Sequence, residues 1–193
     1  MKLTIDTQVE QALPELKIFF ETLPKPLSFQ HATLKPQLFT STKLTKAELS
    51  QYRKFRRKIA GDERLAAERL RAYPSPDSLP TPDPLTSAVI QASYHTGIPI
   101  TVFSADTFDA ITLRFAGANN VLATNRGNSP ISTGALIADT KLGVLGIFGI
   151  KSSVLGKILP TTQRITILSF GVSTPTYKKS CALVQLVTRN ISE

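Results

Sequence analysis

The 193-residue chain is 41 % hydrophobic and carries 23 Lys and Arg against 14 Asp and Glu, a net charge of +9. One cysteine (Cys181) and two histidines (His31 and His95) exclude an intrachain disulfide and a four-ligand Cys/His zinc site, so no metal or organic cofactor is expected. The longest apolar uncharged stretch, residues 142–150, falls short of the roughly 20 residues that a membrane-spanning helix needs, and MKLTIDTQVEQ lacks the apolar core of a signal peptide; the expectation is a cytoplasmic protein with no membrane partner.

In chain order, Thr7 and Glu10 have capping-box spacing, which predicts a short helix from near Asp6 that Pro14 limits. Residues 16–23 (LKIFFETL) read as a strand stopped by Pro24-Lys25-Pro26, and residues 27–44 show no period. Thr45 and Glu48 form a second capping box. Leu49, Tyr52, Phe55 and Ile59 follow at helical spacing and Gly61 ends the run. Asp62 is placed to cap a further helix over residues 63–73. Residues 74–84 (PSPDSLPTPDP) are a proline-rich connector with five prolines. Residues 85–95 then form a helix ended by Gly97-Ile98-Pro99. Strands are expected at 100–103, 110–115, 135–139, 144–148, 166–172 and 182–188, with Ile111, Leu113 and Phe115 alternating against Thr112 and Arg114. Strands that do not alternate with helices argue for an α+β fold, a mixed β-sandwich or partial barrel flanked by helices. The organisation expected is one domain over residues 1–193: an N-terminal strand and basic helical segment (1–73), the connector (74–84) and a β-rich core (85–193). Cys181, within CALVQLV, reads as a small buried hydrophobe.

The charge is concentrated. Ten basic and four acidic residues lie between Lys43 and Arg71, six of the nine net positive charges. Such a patch on one helical element fits a polyanionic partner or a solvated helix face. No catalytic constellation accompanies it. There is no phosphate-binding loop, no spacing supports a Ser-His-Asp set with His31 or His95, and Asp106, Asp109 and Asp139 read as turn formers. Gly143, Gly146 and Gly149 recur every third residue, which suits strand bends or a close approach by another chain or a ligand.

The order of segments from Pro82 onward resembles the B3/B4 editing domain of the bacterial phenylalanyl-tRNA synthetase β subunit, and freestanding proteins built from it. DPLTSAVIQASYHTGIPITVFSAD carries the likeness through Asp83, Pro84, Gly97, Pro99, Phe103 and Asp106. AITLRFAG carries it through Arg114 and Ala116. The stretch from STGALIADTKLG to TILSFG carries it through Ala138, Asp139, Gly146, Gly149, Ser153 and Thr162. The basic segment SQYRKFRRKIAGDERLAAERLRAY resembles the one that precedes the core in freestanding members.

That resemblance implies a tRNA or aminoacyl-tRNA partner and, as an activity, hydrolysis of a mischarged aminoacyl-tRNA in trans. The family's pocket residues fall here on Val89 and Ile90 (for a Thr-Asn pair), Thr101 (for a His), Gly146 (a Gly retained) and Leu168 or Ser169 (for a Glu), so four of five identities differ. A pocket without a polar partner for a phenolic hydroxyl would not select tyrosine. The pocket candidates are therefore Ser93, Thr101, Arg114 and Gly146, and Arg53, Lys54, Arg56, Arg57 and Lys58 are the candidates for phosphate contacts. Two rival readings are a non-catalytic RNA-binding or adaptor protein and a binder of an amino-acid-like small molecule.

Overall fold

The computed structural model describes residues 1–24, 35–61, 63–75 and 83–192. His31, Asp62, most of the proline-rich connector and much of the aperiodic stretch 27–44 lie outside the described residues. The fold is mixed α+β, built on two sheets. One has seven strands in the order β1 (Lys2–Ile5), β4 (Ala110–Phe115), β7 (Leu136–Thr140), β8 (Gly143–Ile147), β5 (Val121–Thr124) and β6 (Gly127–Pro130), with β9 (Lys151–Ser152) paired to β8. The other has three, β2 (Lys17–Pro24), β10 (Arg164–Gly171) and β3 (Ile100–Ser104), with β2 and β3 both antiparallel to the central β10. Around them stand α1 (Thr7–Ala12), α2 (Lys46–Ala60), α3 (Ala66–Leu70), α4 (Pro84–Thr96) and α5 (Thr174–Ser192).

Local chemistry explains most of these boundaries. Thr45 Oγ1 accepts from Glu48 N at 3.3 Å while the Glu48 carboxylate accepts from Thr45 N at 2.7 Å, so α2 starts on a complete capping box. At α1 the cap is Asp6, which accepts from Gln8 N, in place of the expected Thr7–Glu10 box. The carboxylate of Asp83 accepts from both the amide and the hydroxyl of Thr86, and Pro84 occupies the first helical position of α4. Two hairpins turn on the same chemistry. In Thr124-Asn125-Arg126-Gly127 and in Thr140-Lys141-Leu142-Gly143 the threonine hydroxyl donates to the glycine carbonyl, at 2.7 and 2.9 Å, and the glycine has a φ of 100° or 120° that only glycine adopts readily.

One expected strand is corrected. Residues 182–188 belong to α5, whose Thr176, Ser180, Leu183, Val184, Val187 and Ile191 recur at helical spacing and are all buried. A short apolar run does not distinguish the two conformations; the inward period does, once the stretch is read from Thr176 onward. Cys181 stands on the flank of that helix, half-exposed, and is not the buried hydrophobe expected. The second basic helix is also shorter than expected: α3 is five residues, beginning after Leu65. β1, β5, β6 and β9 were not expected at all. The core is one continuous apolar cluster that spans both sheets and takes in Tyr52, Phe55, Ile59 and Leu65 from the basic segment.

Candidate functional site

The orientation of α2 follows from its buried stripe. Tyr52, Phe55 and Ile59 are each no more than 2 % exposed. The Tyr52 hydroxyl donates to the Phe170 carbonyl at 2.5 Å, an acceptor shared with the Ser180 hydroxyl at 2.7 Å. The rings of Tyr52, Phe55 and Phe148 surround that of Phe170 with centroids 5.5, 5.6 and 4.7 Å away. Burial drives the Tyr52 phenol well above its ordinary range, the Ser180 hydroxyl offsetting this in part, so it stays a neutral donor. At the start of the helix, Glu48 receives the Lys179 ammonium at 2.7 Å, tying α2 to α5. Burial pushes the Glu48 carboxyl up, and the Lys179 and Thr45 donors outweigh it, leaving the group below its usual value.

The opposite stripe of α2 is cationic. Lys46, Arg53, Lys54, Arg57 and Lys58 are exposed. Arg53 lies 3.3 Å from Glu68 and Lys58 2.7 Å from Glu15, both surface pairs whose cationic side chains are exposed. Lys54 and Arg57 form no ion pair with the described residues. Arg56 faces inward: its side chain is 13 % exposed, its Nε stands 3.8 Å from Glu68, and its Nη1 donates to the Glu63 carbonyl. It braces the α2–α3 connection and does not share the outward face with the other four phosphate candidates. From α3, Arg69 donates to the Arg64 carbonyl at 2.6 Å and to that of Ile150, which pins the short helix to the end of β8.

The four pocket candidates fall into two pairs. Ser93 of α4 is buried, and its hydroxyl reaches the Ile100 carbonyl at 3.5 Å, one residue before Thr101 of β3, which pairs with Leu168. Ser169 is likewise buried, donating to the Pro99 carbonyl at 2.8 Å. Arg114 and Gly146 lie in the seven-stranded sheet, two strands apart. Arg114 is bidentate on Asp139, with Nε 2.8 Å and Nη2 2.7 Å from the same carboxylate oxygen, and its Nη1 donates to Phe115 O and Asn120 Oδ1. At Gly146 a Cβ would stand 2.8 Å from the Lys151 carbonyl oxygen, so the side-chain space is taken by the backbone of β9. Among the described residues, no hydrogen bond or ion pair joins one pair to the other.

A concavity of about 350 Å³ opens elsewhere, lined by Phe108, Asp109, Ala110, Thr112, Asp139, Thr140 and Lys141. None of the four pocket candidates lines it. It sits at the Thr140–Lys141 turn of the β7–β8 hairpin. The cationic helices dock at the opposite end, where Ala66 N donates to Gly149 O and Phe148 N to Leu136 O. Strands of five residues separate the two places by about 16 Å at ~3.3 Å per residue. The α3 docking contact and the concavity thus lie at opposite ends of the β7–β8 hairpin. Among the described residues there is no group of three or more His, Cys, Asp or Glu able to hold a metal ion, and no helix long and apolar enough to cross a membrane.

No protein-family model and no curated protein sequence matches the chain. Among solved structures it is similar to an N-terminal fragment of the phenylalanyl-tRNA synthetase β subunit from Pyrococcus horikoshii, with a TM-score of 0.52 and 11 % sequence identity over 97 % of this chain and 48 % of that one. The chain therefore spans about half the length of that fragment, and what the two share is a fold.

Proposed function

We propose that this chain is a tRNA-binding domain of B3/B4 type, which engages the phosphate backbone through the outward stripe of α2. The observation that carries the reading is the exposed row Lys46, Arg53, Lys54, Arg57 and Lys58 set opposite a fully buried stripe, on a fold shared with a tRNA synthetase subunit fragment. Lys54 and Arg57 are the principal contacts, since neither is engaged by a carboxylate among the described residues. Arg53 and Lys58 can exchange their surface pairs for phosphates at little cost.

Within this reading, binding without ester hydrolysis is favoured over editing in trans. Ser93 and Ser169 are buried donors to backbone carbonyls, Arg114 is neutralised by Asp139, and Gly146 is covered by β9. Each of these groups holds the fold together, and a group already engaged offers little to a reacting ester.

The test is the salt dependence of tRNA binding. Three or four phosphate contacts give a log–log slope of roughly −3 to −4, a loss of about two to three orders of magnitude between 50 and 300 mM salt. The double variant Lys54→Ala/Arg57→Ala should reduce the slope by about two. A flat salt response, or a slope unchanged in the variant, would remove α2 from the interface. Accelerated deacylation of any member of a mischarged-tRNA panel would overturn the non-hydrolytic half.

A further inference from the structure

At the C-terminal end of α4, segments that carry aromatic and cationic residues meet from four parts of the chain. The Tyr94 hydroxyl contacts the carbonyls of Tyr73 and Pro74, at 3.3 and 3.2 Å, and so fixes the exit of α3 against α4. His95 stands edge-on to Tyr94 with centroids 5.3 Å apart and stacks on Phe39 at 5.6 Å. Arg71 lies across the helix end, its Nη1 3.1 Å from where a Cβ on Gly97 would be. The segment carrying exposed Lys43 is tied to the same turn by Leu44 N donating to Thr96 O at 2.9 Å. The negative end of the α4 dipole favours cations here.

Large apolar side chains that remain exposed among the described residues are Leu38, Val121, Leu142, Leu159 and Tyr73. Four are aliphatic. Tyr73 alone presents a ring, 47 % exposed, on a backbone held by Tyr94 and by its own amide bonded to Leu70 O. An aromatic face on a fixed backbone loses little conformational entropy when it is covered. Two residues after Arg71, and on the same helix end as the segment of Lys43, it has the composition of a stacking site for an unpaired base, since every base has a π-face and the flanking phosphates need cations.

We propose that this corner holds one unpaired nucleobase of a bound RNA, with the Tyr73 ring as stacking platform and Arg71 and Lys43 on the adjoining phosphates. The inference rests on the tRNA-binding reading and adds to it the place where a single-stranded end is received.

The experiment compares two RNA hairpins, one blunt and one with a short single-stranded 3′ tail carrying 2-aminopurine, on the full chain. The tail should tighten binding by roughly 5- to 150-fold and its fluorescence should be quenched on binding. Tyr73→Ala should abolish the preference and the quenching while leaving blunt-hairpin affinity and its salt slope unchanged. Tyr73→Phe, which keeps the ring, should retain both. A Tyr73→Ala protein that keeps the tail preference, or a wild-type protein that shows none, overturns the stacking site alone. A wild-type protein that binds neither hairpin overturns the tRNA-binding reading beneath it.

Discussion

Replacing Gly146 with alanine separates two roles for that residue. Its φ lies outside the left-handed region, so alanine meets no backbone strain, and the outcome depends on contact alone. The new Cβ would lie 2.8 Å from the Lys151 carbonyl oxygen and 3.4 Å from Ser152 Cα, against about 3.3 Å for the closest comfortable carbon–oxygen approach. β9 must retreat by roughly half an ångström, and it is only two residues long, held to β8 by the pairs Gly146–Ser152 and Ile147–Lys151. Overpacking of this kind costs ~1–3 kcal/mol. Restricting the unfolded chain returns ~0.4–1 kcal/mol. The net is a loss of about 1–2 kcal/mol, which in a chain of this length lowers Tm by roughly 2–8 °C in calorimetry or circular dichroism. At 15 °C, where the variant is folded, tRNA affinity should match the wild type. A Tm that is unchanged or raised would refute the close-approach argument, and an unchanged Tm with lost RNA binding would make the glycine a ligand contact.

Tyr52→Phe should cost about 0.5–1.5 kcal/mol at neutral pH, because the Phe170 carbonyl keeps its bond from Ser180. The folded state holds the Tyr52 proton more tightly than the unfolded chain does, so the stability this supplies is complete below pH ~10 and is lost as pH rises beyond it; urea titrations should show wild type losing stability at alkaline pH faster than the phenylalanine variant. Glu48→Gln tests the acid side: the folded carboxyl is held below its unfolded value of ~4.3, so the wild-type advantage is present above pH 5 and fades as pH falls through the folded value, which midpoints at pH 7, 5 and 3 will reveal. Arg114→Lys breaks the bidentate contact with Asp139 and the bond to Asn120, and should lower stability by ~1–2 kcal/mol without changing tRNA affinity; reduced affinity in a protein of wild-type stability would return Arg114 to the interface.

How much of this was legible in the sequence varies with the physics of each element. α2 was plain, because a capping box, an apolar stripe and a terminal glycine agree and act over short range. So was β4, whose alternation reports one buried face. β1 was hidden, because four residues give too little period and its partner β4 lies more than 100 residues away. The β5–β6 hairpin does carry a mark in its sequence. Thr124-Asn125-Arg126-Gly127 repeats the Thr-x-x-Gly pattern of Thr140-Lys141-Leu142-Gly143, and the two close through the same hydroxyl-to-carbonyl bond. The inward turn of Arg56 was legible in part, since it stands four residues after Tyr52 and three before Ile59, on the flank of the buried stripe. Its partners, Glu63 in the α2–α3 connection and Glu68 on α3, are a tertiary matter that charge counting cannot reach. The same holds for Gly146, whose neighbour is the backbone of a two-residue strand.

The pattern on α2 also shows why the apolar and cationic stripes are one device. Successive helical residues are about 100° apart, so a slip of one position would rotate the entire charged face away from its present direction. Three constraints prevent that slip: the Tyr52 hydroxyl on the Phe170 carbonyl, the ring cluster about Phe170, and the Glu48–Lys179 pair at the helix start. Exposed cations on long side chains are mobile, and their direction is set by the helix beneath them. On the proposed reading, a phosphate backbone would meet a row whose spacing was fixed during folding, and the ordering cost at binding would fall on side chains alone. Weakening the lock while keeping every cation should therefore reduce tRNA affinity with no change in salt slope, since the number of phosphates neutralised is unaltered. Phe55→Leu is the appropriate change, and unchanged tRNA affinity in a measurably destabilised variant would show that the row is ordered by the RNA and not by the fold.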